Sequence, residues 1–220
     1  MRARAGSARS SAVALVVISA ATAASAETGA PPPPRSWAAD LPAIAVKNRN
    51  TNVEAMIRLY DPADGSLDRA ALRTFMRVAS SNADLPEGSA PDPLDPRLVQ
   101  LAVRAAYHFK STSMLIVSAT RRGDHGKHGK GEALDFRLGN VRAAALAAYA
   151  RGFPRAGIGL YDHPETQYLH IDVRPRSWQW SDGSPPGGAL SEKVIADPTY
   201  EQRDASWTPA TDLPEAATAH

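Results

Sequence analysis

Cysteine is missing from all 220 residues. The chain can form no disulfide, has no thiolate to offer a metal, and has no N-terminal cysteine for a lipid anchor. Any metal site must be built from histidine and carboxylate. Histidine is itself scarce, with six in the chain, so each position carries weight. A surplus of charge is lacking too: 25 Lys and Arg stand against 23 Asp and Glu. Arg2, Arg4 and Arg9 precede an apolar run that ends in Ala24-Ser25-Ala26. That order is the pattern of a secretory signal peptide, with cleavage expected after Ala26. Residues 1–26 contain three bases and no acid, so the mature chain has 22 bases, 23 acids and a net charge of −1. Such a balance has no electrostatic footprint for nucleic acid. The apolar run is too short for a comfortable membrane span. A periplasmic or secreted protein with no transmembrane anchor after cleavage is expected.

Composition suits one packed domain, at 43% hydrophobic and 22% charged residues. Residues 27–40 hold four consecutive prolines and read as a Pro-rich linker. Residues 41–180 read as the folded domain. Residues 181–220 are poor in apolar residues and rich in proline, which predicts a mostly disordered tail. No internal repeat is visible. Within the domain, Leu67, Ala71 and Phe75, with Leu72, Met76 and Ala79, form a helical stripe, with Ser66 as N-cap. A second helix opens with Asp95 as cap and Pro96 in its first turn. A third is capped by Asn140 and closed by Gly152. Apolar runs at Met114–Ala119, Glu132–Leu138, Ala156–Tyr161 and Gln167–Val173 read as strands. Helices come first, then strands with one helix among them. That is an α+β order, and the short connections predict a small antiparallel sheet flanked by helices.

The stretch KHGKGEALDF, residues 127–136, sets a histidine and an aspartate seven residues apart across two glycines. It reads as one side of a metal site or as a flexible surface loop running into a strand. Strand alternation puts Ala133 and Asp135 on one face, and Leu134 and Phe136 on the other. In QYLHIDV, Tyr168, His170 and Asp172 share a face. If both strands lie in one sheet, Asp135 and His170 project from the same side. His128 sits at the mouth of the loop, and Gly129 and Gly131 let that loop fold back. Two histidines and one carboxylate are a common ligand set for catalytic zinc, with the fourth position open to water. Such a site needs a base, and a donor for the developing oxyanion.

The pattern His128-x-x-Gly131-x-Ala133-x-Asp135, followed by His170-Ile171-Asp172, resembles the zinc murein peptidases of the D-alanyl-D-alanine carboxypeptidase and hedgehog superfamily, in their YcbK-like branch. LYDPADGSLDRAALRTFMRV, LDPRLVQLAVRAAYHF with MLIVSATR, and AGIGLYDHPETQYLHIDVRPRSWQW are similar to further segments of that branch. The likeness covers about residues 42–180. It implies that His128, Asp135 and His170 hold Zn²⁺ and that Arg121 polarises a substrate carbonyl or carboxylate. The implied reaction is hydrolysis of an amide in peptidoglycan stem peptides or cross-links.

Departures from the pattern leave roles open. Ser118-Ala119-Thr120-Arg121 replaces the usual Ser-Gly-Tyr-Arg, and Lys127 replaces a serine. The loop from Arg121 to His128 is short. Gln167 occupies a position that is acidic in many superfamily members, and glutamine accepts no proton. Asp172 is the first candidate for the base and Glu165 the second. Asp172 fits equally an orienting role, or a structural pairing with Arg174 or Arg176. A non-catalytic domain that binds zinc and wall peptide is the alternative function. His125 and His163 read as surface residues and His108 as a helix-boundary residue. Trp178 and Trp180 read as packing residues or as a sugar platform.

Overall fold

The computed structural model describes residues 35–81, 89–121 and 123–218. The expected signal peptide and linker residues 27–34 lie outside them. Strands β1 (Ile44–Asn48) and β2 (Glu54–Ile57) form an antiparallel pair. Helices α1 (Arg69–Ala79) and α2 (Pro96–His108) lead to β3 (Ser113–Ser118). Next come β4 (Ala133–Leu138), α3 (Ala143–Ala150), β5 (Ala156–Tyr161), β6 (Tyr168–Val173) and β7 (Trp178–Asp182). The chain closes with β8 (Glu192–Val194), α4 (Tyr200–Ala205), a 3₁₀ turn at Pro209–Asp212, and α5 (Glu215–Thr218).

The helix starts obey local chemistry. Asp95 caps α2 by accepting from the Arg97 N–H, with Pro96 in the first turn, as read from sequence. Asp68 caps α1 in place of Ser66, accepting from Ala70 N at 2.7 Å and Ala71 N at 3.1 Å. Ser66 is already used in the preceding turn, where its N–H donates to Asp64 and its carbonyl accepts from Asp61. Asn140 does not cap α3. It sits at φ +60° in the turn after β4, and Arg142 opens the helix with no side-chain cap.

The fold is α+β, but the sheet is neither small nor purely antiparallel. Eight strands run in the order β2-β1-β3-β4-β6-β5-β7-β8. Two pairs are parallel, β1 with β3 and β5 with β7. The reason lies in which edges are free. β6 returns beside β5 as a hairpin, and its other edge is taken by β4. β7 runs opposite to β6, so the edge left to it, that of β5, makes a parallel pair. Helices α1, α2 and α3 pack on one face of the sheet. Leu134, Phe136, Leu169 and Ile171 join them there in a single buried cluster. Asp135, His170 and Asp172 face the other way.

The expectation of a mostly disordered tail after residue 180 is corrected by the elements found there. Polar anchors hold them, which a count of apolar residues does not register. Asp212, 3% exposed, accepts two hydrogen bonds from Arg97, at 2.7 and 3.0 Å. Buried Asp204 accepts from the Arg155 and Ser177 N–H groups and from the Ser177 hydroxyl. The Trp207 ring lies under both the Arg97 and Arg155 guanidinium groups, at 5.3 and 4.7 Å.

Candidate metal centre

β4 and β6 are neighbours, and their register sets Asp135 directly opposite His170 and Ala133 opposite Asp172. Residues opposite each other in a ladder share a face, about 4.5–5.5 Å apart at Cβ. A small residue at 133 therefore leaves room beside Asp172. Asp135 and Asp172 are buried, at 1% and 0% exposed. Burying a carboxylate is costly unless it is paired, and both are paired.

His128 arrives on the loop between β3 and β4. Gly131 adopts φ +69°, where a Cβ would also overlap the Pro93 carbonyl. At Gly129 a Cβ would overlap the Asp124 carbonyl, so close backbone approach is what demands glycine there. Lys127, the residue in place of the usual serine, ties the loop down. Its ammonium reaches Glu132 at 2.6 Å and the Val173 carbonyl at the end of β6 at 2.8 Å. The imidazole is then aimed by a single bond. His128 Nδ1 lies 2.6 Å from the Ala119 carbonyl oxygen. A carbonyl only accepts, so Nδ1 carries a proton, and Nε2 is the nitrogen turned toward the site. Nε2 faces Asp135 Oδ2 at 3.4 Å.

His170 bridges the two aspartates. Its Nδ1 is 2.8 Å from Asp135 Oδ1, and its Nε2 is 3.2 Å from Asp172 Oδ2. Burial alone would raise the pKa of Asp135. Hydrogen bonds and charge from His128 and His170 outweigh it and hold the group at about 2. Burial would lower the pKa of His170, but its two carboxylate partners raise it to about 9. One donor atom each from His128, Asp135 and His170 lies within 4.8 Å of the others. Two imidazoles and a carboxylate at this spacing, with His128 Nε2 already aimed inward, fit a divalent cation of the zinc type. A cation held by these atoms would take the place of the proton shared between His170 and Asp135.

Asp172 is fully committed. Its two oxygens accept from Arg174 Nε, at 2.6 Å, and Arg174 Nη2, as well as facing His170. Burial pushes its carboxyl pKa up, but His170 and Arg174 together bring it below the usual range. A Cβ at Gly157 would overlap both Asp172 and Arg174. Held by Arg174, Asp172 faces His170 Nε2 and fixes the orientation of that ring. Of the two partners weighed for it, Arg174 is the one found. Arg176 instead reaches Glu201.

Arg121 joins the cluster through Asp135 Oδ2, at 3.1 Å, while its Nε donates to Ser118 Oγ at 2.9 Å. A register shift between Ile116 and Ser118 brings Ser118 opposite Asp135. Bulges of this kind re-aim side chains next to active sites. The Arg121 side chain is 51% exposed, so its outer edge is open to a ligand. Trp180 packs over Gly159, where a Cβ would overlap its ring, and lies 5.6 Å from the His170 ring. Tyr161 stacks on Tyr168 at 4.3 Å and meets Trp180 edge-on at 5.1 Å. Burial and the charge of Asp135 raise the pKa of Tyr161, so its phenol remains a donor.

Arg121, His128, His170, Asp172 and Trp180 floor a cleft of about 480 Å³. Tyr161, Leu190 and Glu192 also line it, and sequence reasoning assigned none of them to the site. Tyr161 was within reach, as it sits in the segment with Gly157 and Gly159. Leu190 and Glu192 carried no signal, because they fall in the segment read as disordered. Glu165 is exposed in the β5–β6 turn and does not line the cleft. Gln167 is in that turn too, at φ +31°, donating to the Asp162 and His163 carbonyls. His125 is exposed, His163 accepts from the Glu165 N–H, and His108 stacks on Tyr149 at 3.7 Å.

A buried His-Asp-His cluster on a sheet face, beside a half-exposed arginine and under an open cleft, defines a metal-dependent hydrolase. Residues 43–178 match the model of the family described as peptidoglycan L,D-endopeptidase MepK. The chain belongs to that family of M15 peptidases and is a peptidoglycan metallopeptidase. No individual curated protein and no solved structure matched the chain significantly. The family acts on peptidoglycan, and no helix among the described residues is long and apolar enough to cross a membrane.

Proposed function

We propose that the chain is an exported zinc peptidase that hydrolyses the L,D amide of peptidoglycan cross-links. His128 through Nε2, Asp135 through its carboxylate and His170 through Nδ1 would hold the ion. The observation that carries this is the direct cross-strand pairing of Asp135 with His170 while the Ala119 carbonyl aims His128 at the same point. Bound zinc supplies a water with its pKa lowered to about 7 and polarises a carbonyl oxygen.

The chain's own residues do the rest. The exposed edge of Arg121 receives the negative charge that develops on the substrate carbonyl oxygen. The Tyr161 phenol adds a second donor. Asp172, locked by Arg174, holds the His170 ring in its orientation. Among the cleft carboxylates, Asp124 accepts from the Gly126 N–H, whereas the Glu192 side chain, on the strand paired with β7, takes part in no hydrogen bond or ion pair among the described residues. Glu192 is therefore the group available for proton transfer. Export is supported by the signal pattern at residues 1–26 and by a substrate that lies outside the cytoplasm.

Metal analysis of residues 27–220, with digestion of isolated sacculi, tests the reading. We expect one zinc per chain and loss of L,D-cross-linked fragments, both abolished in His128→Ala. A wild-type chain that takes up no metal and gives the same fragments as His128→Ala would falsify it.

A further inference from the structure

Trp178 and Trp180 lie two residues apart on the same face of β7, yet their surroundings differ. Trp180 is 6% exposed and is spent on His170 and Gly159. Trp178 is 46% exposed. Among the described residues the exposed large apolar side chains are Met56, Trp178, Leu190 and Val194. Three of those four sit on β7, β8 and their connection. Val194 pairs opposite Trp180 and so shares the face that carries both tryptophans. Exposed apolar groups gathered in this way mark a contact surface rather than ordinary scatter.

Beside Trp178 lies a hollow of about 320 Å³, lined on its apolar side by Val194, Ile195, Ala196 and Tyr200. That is the small end of the range for ligand sites, roughly 300–1,000 Å³, and suits one ring with a substituent. The charges at its rim are already neutralised. Arg176 pairs with Glu201 and lies over the Tyr200 ring, and Asp197 pairs with Arg203 and accepts from Gln179. A rim of satisfied pairs does not favour an ion, but it offers hydrogen bonds to hydroxyl and amide groups. Trp178 lines both this hollow and the metal cleft. One ligand can therefore span the two.

We infer that Trp178 and this hollow form a subsite for an acetylated amino sugar of the glycan strand that carries the scissile peptide. The inference rests on the peptidoglycan reading of the metal cleft. The indole face takes the C–H face of the pyranose, and the hollow takes the acetyl methyl. The amide and hydroxyls meet the neutral rim. All the lining residues but Arg176, Ser177 and Trp178 lie beyond residue 178, where the family match ends. The subsite is thus a feature of this chain's C-terminal segment.

Diacetylchitobiose titrated into residues 27–220, followed by tryptophan fluorescence, tests sugar binding without any need for cleavage. We expect a saturable change that cellobiose does not produce and that Trp178→Ala abolishes. In turnover, the ratio of kcat/KM for a glycan-bearing cross-linked muropeptide to that for its sugar-free peptide dimer should fall about tenfold in Trp178→Ala, the loss of one aromatic contact. Ala196→Arg, a change at an exposed position that fills the hollow, should lower the same ratio. No response to diacetylchitobiose, an equal response to cellobiose, or an unchanged ratio in both variants overturns the proposal. Failure of the wild type to cleave either dimer strikes the peptidase reading instead, and the sugar titration still decides this one.

Discussion

At the centre of the sheet, Asp135, His170 and Asp172 stand on one face almost out of contact with water, and the ring nitrogens and carboxylates all have partners. At the C-terminal margin, Trp178 and Leu190 stand in the open around the same cleft, and Val194 is exposed on the adjoining hollow. The centre lies inside the family match and the margin largely beyond it. Burial makes electrostatic geometry strong and intolerant of change. Exposure leaves side chains free to be replaced without unfolding anything. A metal centre needs the first property, and a surface that selects among wall fragments needs the second.

The most damaging change to the centre is His170→Ala. It removes a ligand and leaves Asp135 and Asp172 buried without their shared partner. Losing an outer partner of a ligand already costs about 10–100-fold in metal affinity or activity. Losing the ligand itself should cost more than about 100-fold in zinc affinity, read by competition with a chromophoric chelator, and should abolish cleavage. Asp172→Asn comes next. The side chain keeps its shape but loses its charge, so His170 and Arg174 lose their common anion. We expect a drop of about 10–100-fold in metal affinity or kcat/KM, together with a lower melting temperature. If Asp172 were instead the proton carrier, cleavage would collapse while zinc affinity stayed at the wild-type value.

At the margin, Asp212→Ala probes how the C-terminal segment is held. Arg97 would keep its bonds to the Pro154 and Arg155 carbonyls but lose both bonds to the carboxylate. Breaking a buried pair from one side costs about 3–5 kcal/mol. The figure here belongs at or below the lower end, because the Arg97 side chain is 16% exposed. We expect faster proteolysis after residue 194 and a lower melting temperature, with zinc affinity unchanged. Equal loss of zinc affinity would show that centre and margin do not form separate compartments.

The centre was legible in the sequence for a simple reason. A strand repeats every two residues, so Asp135, His170 and Asp172 declare their faces, and the glycines of KHGKG announce a loop that must turn tightly. What alternation does not reveal is which strand lies beside which. α3 and β5 intervene between β4 and β6, and nothing local says that β6 returns past β5 to pair with β4. The parallel pairs were hidden for the same reason. The margin was hidden by a different one. Its order comes from Asp204 and Asp212 meeting Arg97, Arg155 and Ser177 across long sequence gaps, and composition cannot show such pairings. Gln167 misled in the opposite sense. Aligned by spacing from His170 it falls at a usual catalytic position, yet the turn sets its conformation.

That last point yields the smallest predicted effect. In Gln167→Glu the left-handed backbone at φ +31° stays, since glutamine and glutamate bear it alike. The amide nitrogen that donates to the Asp162 carbonyl at 2.7 Å and the His163 carbonyl at 3.3 Å is gone. Each such bond contributes about 0.5–1.5 kcal/mol net, and at this exposed turn water replaces much of it. We expect a stability loss of under about 1 kcal/mol by urea denaturation. Cleavage of cross-linked muropeptides should stay at the wild-type rate, because the side chain folds back on the turn and away from the cleft. A several-fold gain in kcat would mean that the new carboxylate swings to the metal and takes the proton. The assignment of Glu192 to proton transfer would then fall, and the carboxylate that completes the centre would belong to the β5–β6 turn rather than to the margin.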